Sequence, residues 1–180
     1  MKAAMLLSMF GAASFLFCAN INADEWNQKL TLTFNNPVEI PGQVLPAGTY
    51  VFKVGVGDTS QDEDVVRVYD KAENHVYGVF LTIPDHRLTR SNKPVLEFEK
   101  GPAGSPEAIY AWFYPDDKTG HEFVYPKSQA MRLAKANDRP VAAMPDDATA
   151  RADSMKGGHV TAVTPDGREV ETVTVFGAGH

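Results

Sequence analysis

From residue 30 onwards the chain is cut every few residues by Pro, Gly, Asn or Asp, and between the cuts apolar residues tend to alternate with polar ones. A period of two matches the pleat of a β-strand and puts every second side chain on one face. A helix needs apolar residues three and four apart. The chain is therefore expected to be mainly β: an antiparallel β-sandwich or open barrel with one short α-helix.

The strands can be read off in order. Residues 30–34 (Leu-Thr-Leu-Thr-Phe) alternate strictly and are stopped by Asn35-Asn36-Pro37. Residues 38–40 form a short second run before Pro41-Gly42. Residues 50–56 place Tyr50, Phe52, Val54 and Val56 on one face. Residues 65–69 and 75–83 read as a hairpin whose second arm places Tyr77, Val79, Leu81 and Ile83 together. Residues 84–94 read as loop, and 95–98 as a strand. The one helix is expected at about 128–136, with Ser128 capping its first turn and Ala130, Leu133, Ala134 and Asn137 at helical spacing. Residues 138–158 read as a polar linker. A C-terminal hairpin follows within 159–180, turning at Pro165-Asp166-Gly167, with Val160, Ala162, Val170, Thr172, Thr174 and Phe176 on one face.

The most informative segment is an aromatic hairpin, 109–114 and 121–125. If Tyr114 faces His121, then Tyr110, Trp112, Tyr114, His121, Phe123 and Tyr125 share one face. Aromatic-rich strands ordinarily build a core, and core is the expectation here. Exposed, the same six residues would be a ligand-binding platform, because phenols and an indole can stack on a sugar ring or peptide while offering hydrogen-bond donors.

Other chemistry finds little support. A formal net charge of −6 over 180 residues, with no basic run, argues against nucleic acid as a partner. His121-Glu122 opens like a zinc-protease helix, but Tyr125 stands where the second His belongs. His75, His86, His121, His159 and His180 are scattered, so no metal site and no cofactor is expected. Residues 58–64 are acidic but lack the alternation and the Gly of a calcium loop. No nucleophile elbow or phosphate-binding glycine pattern occurs, and no catalytic residue is assigned.

Lys2 followed by the uncharged run 3–17 and the small residue Ala23 reads as a signal peptide, 1–23, cleaved after Ala23 or alternatively after Ala19. Phe17 before Cys18 argues against lipidation. The single cysteine would leave with the signal, giving a cysteine-free mature chain without a disulfide. No second long apolar stretch exists, so a soluble bacterial protein without a stable membrane anchor, periplasmic or extracellular, is expected. Residues 24–137 are then the sandwich domain.

Residues 34–52 (Phe-Asn-Asn-Pro-Val-Glu-Ile-Pro-Gly-Gln-Val-Leu-Pro-Ala-Gly-Thr-Tyr-Val-Phe), with 103–108 and 120–128, carry a likeness over most of 24–137. The chain resembles a family of small uncharacterised exported proteins of acidobacterial type, which implies export and no particular activity. The piece Leu-Pro-Ala-Gly-Thr-Tyr is also similar to turns in prealbumin-like β-sandwich modules, which implies a sandwich and no chemistry. The expectation is an exported, non-catalytic module with a binding or structural role, taking a glycan, peptide or protein partner. Two alternatives stay open: a cell-envelope hydrolase acting on carbohydrate, and an assembly subunit that exchanges a β-strand.

Overall fold

The computed structural model describes residues 18–24, 29–55, 65–147 and 159–172, the first of these as backbone only. In chain order the strands are β1 (Cys18–Asp24), β2 (Lys29–Phe34), β3 (Val38–Ile40), β4 (Gln43–Leu45), β5 (Gly48–Val54), β6 (Val65–Asp70) and β7 (Val76–His86). They continue with β8 (Val95–Glu99), β9 (Glu107–Phe113), β10 (Thr119–Phe123) and β11 (Tyr125–Pro126). The helix α1 (Lys127–Asn137) precedes β12 (Val141–Met144), β13 (Thr161–Val163) and β14 (Glu169–Glu171).

The fold is mainly β and sandwich-like, without closure into a barrel. One hydrogen-bonded sheet runs β1-β2-β5-β6-β7-β10-β9-β3-β4, with β8 on the other side of β9. It folds back on itself at β7. The first half of that strand pairs with β6 and the second half with β10, so β7 belongs to both layers. Pairing is antiparallel except for β3 with β9 and β11 with β12, which are parallel. The two layers meet through aromatic rings. Phe52 on β5 contacts Trp112 on β9 edge-on at 5.6 Å, and Phe34 on β2 meets Phe98 on β8 at 6.5 Å.

Two bulges break the alternation expected from sequence. In β7 the register slips so that Val68 faces Gly78 while Tyr69 faces Val76. Tyr77 is the extra residue. It turns inward against Tyr50, whereas Leu81 and Ile83 face outward under the second sheet. The single face expected for Tyr77, Val79, Leu81 and Ile83 is thus divided. In β9 the partners of Glu97 and Phe98 are Ala111 and Ile109, which leaves Tyr110 as the extra residue.

Strand β7 also continues through Pro84 to His86, where a loop was expected. Beyond Leu81 it has β10 on one side only, so the donor that proline lacks is not needed for a second ladder. Gly120 on β10 has no room for a side chain: a Cβ there would lie 2.3 Å from the Trp112 carbonyl oxygen and against the Phe113 ring.

Helix α1 matches its expected place, but Ser128 is not its cap. The N-cap is Pro126, and the Ser128 amide donates to Asp146 Oδ1 at 2.9 Å. That carboxylate lies just past β12, and it takes one of the orphan donors of the first turn. At the other end Asp138 is left-handed and returns its amide to the Ala134 carbonyl. Residues 141–144 correct the linker reading of 138–158: they form β12, buried along its whole length, while 148–158 lie outside the described residues. The C-terminal hairpin docks on its own body. Strand β13 pairs with β12, and β14 pairs with β13 in the register that sets Ala162 opposite Val170. Thr174, Phe176 and His180 lie outside the described residues, as does the acidic loop 58–64.

Candidate functional site

The six aromatic and histidine positions do not form an outward platform. Trp112 is 0% exposed, and Tyr110, Phe123 and Tyr125 are buried as well. Tyr114 and His121 are half-buried beside them. The register also differs from the expected one, with Trp112 opposite His121 and Phe113 opposite Gly120. This shift keeps Trp112, His121 and Phe123 on one face, which points into the sandwich. The Tyr125 hydroxyl donates to the Ile109 carbonyl at 2.6 Å, closing the inner end of the cluster. His121 Nδ1 lies 3.5 Å from the Thr82 hydroxyl, its ring 5.5 Å from that of Trp112.

The bulge sends Tyr110 to the opposite face. There its hydroxyl donates to Glu122 Oε2 at 2.9 Å. The Arg139 guanidinium lies 4.0 Å over the Tyr110 ring, and its Nε is 3.1 Å from Glu99 Oε1. Burial raises the Glu122 carboxyl to about 8, against the lowering effect of the Tyr110 bond, so at neutral pH it is mostly the neutral acid. Burial also raises Glu97 and Glu99. Carboxyls of raised pKa are what a carbohydrate hydrolase would use as acid and base. Glu122, however, is 1% exposed beneath this cover, so it offers no proton to a bound substrate.

An accessible site lies at the other end of the helix. Hairpin β3–β4 turns at Pro41-Gly42, with Gly42 at φ 77° in the left-handed region that glycine tolerates. Residues 38–40 are buried on both faces, so Glu39 carries its carboxylate inside at 4% exposure. A buried carboxylate must be compensated. Two residues three apart on α1 do this: Gln129 Nε2 and an Arg132 terminal nitrogen both donate to Glu39 Oε1, at 2.6 and 2.9 Å. Gln129 also donates to the Ile40 carbonyl at 3.0 Å and accepts from the Gly42 amide at 2.7 Å.

This cluster walls a pocket of about 400 Å³ lined by Glu39, Val44, Ser128, Gln129, Arg132 and Asp146 among others. That volume falls within the range of small-ligand sites. A second pocket of about 300 Å³ shares Gly42 and Gln43 and is lined also by Pro41, Tyr77, Phe80 and Met144. The first pocket has two carboxylates, one half-exposed guanidinium, a carboxamide and a hydroxyl converging on it. Such a set holds an ammonium or guanidinium group, or several hydroxyls, by charge-assisted hydrogen bonds. Glu39, Gln129, Arg132 and Asp146 were not singled out from sequence. The one signal available was the i, i+3 spacing of Gln129 and Arg132 on the expected helix.

Among the described residues no group of His, Cys, Asp or Glu is arranged to hold a metal ion. Comparison with protein-family models, with curated proteins and with solved structures gives no match to this chain.

Proposed function

We propose that this chain is an exported binding module that acts without catalysis and holds a cationic or hydroxyl-rich ligand in the pocket between the β3–β4 hairpin and α1. The observation that carries this reading is the Glu39 carboxylate, buried yet held in the wall of an accessible pocket by Gln129 and Arg132. Export rests on the uncharged run 3–17 and the small residue Ala23. It is compatible with the described residues, among which no helix is long and apolar enough to cross a membrane.

The reading is tested by chemical-shift mapping of the isotope-labelled protein against Nα-acetyl-lysine methylamide, glucosamine and glucose. Saturable shifts confined to the amides of Glu39, Gly42, Val44, Gln129 and Arg132 support it, and their weakening in Asp146→Asn, which keeps an acceptor for the Ser128 amide, with the remaining spectrum intact, places the ligand. A pocket whose amides respond to none of the three compounds at millimolar concentration overturns it.

A further inference from the structure

One oxygen of the buried Glu39 carboxylate is left for a ligand. Gln129 and Arg132 both donate to Oε1. Oε2 accepts no hydrogen bond among the described residues, yet it is not one of the polar atoms sealed from solvent, so the pocket that Glu39 lines is what reaches it. Arg132 is bonded to Glu39 through one terminal nitrogen, and its half-exposed guanidinium keeps further N–H groups for the pocket. An open acceptor and open donors thus stand side by side, joined by the 2.9 Å ion pair.

The charges of the site are already matched. Glu39 is compensated by Arg132, and Asp146 takes the Ser128 amide at 2.9 Å. An ammonium placed at Oε2 would lie beside the guanidinium, and a carboxylate placed at the guanidinium would lie beside Oε2. Each gains one attraction and meets one repulsion. A neutral ligand that both donates and accepts meets no repulsion, and two hydroxyls on neighbouring carbons do this. We propose that the ligand of this pocket is an uncharged polyol ring, a sugar or a cyclitol, held through one vicinal pair of hydroxyls: one donates to Glu39 Oε2 and its neighbour accepts from the Arg132 guanidinium. This rests on the binding reading above and names one of its two ligand classes. Ser128 and Asp146 line the same pocket and offer partners to the ring's other hydroxyls. Val44, 49% exposed and opposite Glu39 on the same face of the hairpin, offers apolar surface to the ring's C–H face. A pocket of about 400 Å³ admits one such ring.

The test titrates the isotope-labelled full chain with myo-inositol, glucose, tetrahydropyran-2-methanol, propionamide and Nα-acetyl-lysine methylamide, and reads the pocket amides. Myo-inositol or glucose is expected to give saturable shifts at Glu39 and Arg132 that added salt leaves unchanged, as for an uncharged ligand. Tetrahydropyran-2-methanol has the ring of glucose with a single hydroxyl, and propionamide has one donor and one acceptor without the ring. Both are expected to bind about tenfold more weakly, the loss of a hydrogen bond to a charged group. Glu39→Gln keeps an acceptor for Gln129 and Arg132 but turns the pocket-facing oxygen into a donor. It is expected to weaken polyol binding about tenfold with the remaining spectrum intact. Arg132→Lys keeps a positive charge beside Glu39 and loses the guanidinium fork, and is expected to weaken polyol binding with the melting temperature unchanged. Polyol shifts that survive both substitutions, or an equal response to the single hydroxyl or to the amide, overturn the proposal. If Nα-acetyl-lysine methylamide moves the pocket amides and neither polyol does, the polyol class fails and the binding reading stands. If no compound has any effect, both fail.

Discussion

The hydroxyl of Tyr110 donates to Glu122 at 2.9 Å across a space closed to solvent, and a β-bulge brings the two together. A regular strand would have turned Tyr110 into the sandwich with Trp112 and left Glu122 without this donor. Arg139 covers the pair by lying over the Tyr110 ring. The group so enclosed is held as a neutral acid by burial, with consequences for stability.

Stability should fall as the solution turns alkaline. The Glu122 carboxyl ionises at about 8 in the folded chain against an ordinary 4.5. Its stabilising contribution is complete below pH 4.5 and is lost as pH rises through about 8, because the unfolded state then releases a proton that the folded state keeps. Glu97 and Glu99 are shifted in the same direction. The exposed carboxylates of Asp70 and Asp166 are shifted the opposite way, so their small contributions are lost in strong acid. The melting temperature should therefore peak in mild acid and drop on the order of 10 °C by pH 9, taking roughly 4 kcal/mol for the Glu122 shift. Glu122→Gln keeps an acceptor for Tyr110 and should flatten most of that drop. A melting temperature that rises steadily from pH 5 to pH 9 would refute the assignment.

Trp112 is the largest side chain sealed between the layers, against Phe52 and Phe123. Trp112→Ala should lose roughly 3–5 kcal/mol in urea unfolding. Its indole N–H finds no partner inside, so Trp112→Phe removes a desolvated donor along with some volume and should lose much less. An alanine variant as stable as the parent would mean that the indole is not part of the core.

Fold class, the helix and most hairpins were legible because strict alternation and Pro-Gly punctuation are local signals. What was not legible depends on neighbours. Bulges at Tyr77 and Tyr110 follow from how β6 and β8 seat against their partners, and no residue type announces them. Strand β12, Val-Ala-Ala-Met between two prolines, is buried on both faces, so alternation gave no signal: Val141 and Ala143 join the main core, and Ala142 and Met144 face Leu81 and Val124. Nothing in the short run 38–40 marks Glu39 as a buried residue. Its burial needed the helix nearly ninety residues later to arrive with Gln129 and Arg132.

Cleavage after Ala23 and strand β1 exclude each other, since residues 18–23 supply nearly all of the pairing to β2. Export predicts that protein recovered from the envelope or medium begins at Asp24, and that β2 amides facing the vacated edge exchange faster than in the unprocessed chain. Cleavage after Ala19 would instead leave most of β1 in place. N-terminal sequencing decides between them, and an exported chain still starting at Met1 would refute processing altogether.

The C-terminal segment should be required for folding. Truncation after Asn137 removes the left-handed cap at Asp138, the Arg139 cover over Tyr110 and Glu99, and the whole of β12, whose Val141 and Ala143 are buried in the main core. It also strips Asp146 from the first turn of α1. Leu133, Ala134 and Val124, all fully buried in the full chain, would lose this cover. The truncated chain should fail to show a cooperative unfolding transition. Truncation after Asp147 keeps β12 and loses β13 and β14, so it exposes the apolar surface that Ala162 and Val163 cover. Burial of that size is worth roughly 3 kcal/mol, and this shorter loss should leave a folded but less stable protein. If the segment instead served only a partner chain, both truncations would stay folded and any self-association of the full chain would vanish. Denaturant unfolding and sedimentation of the three lengths, measured side by side, separate these outcomes.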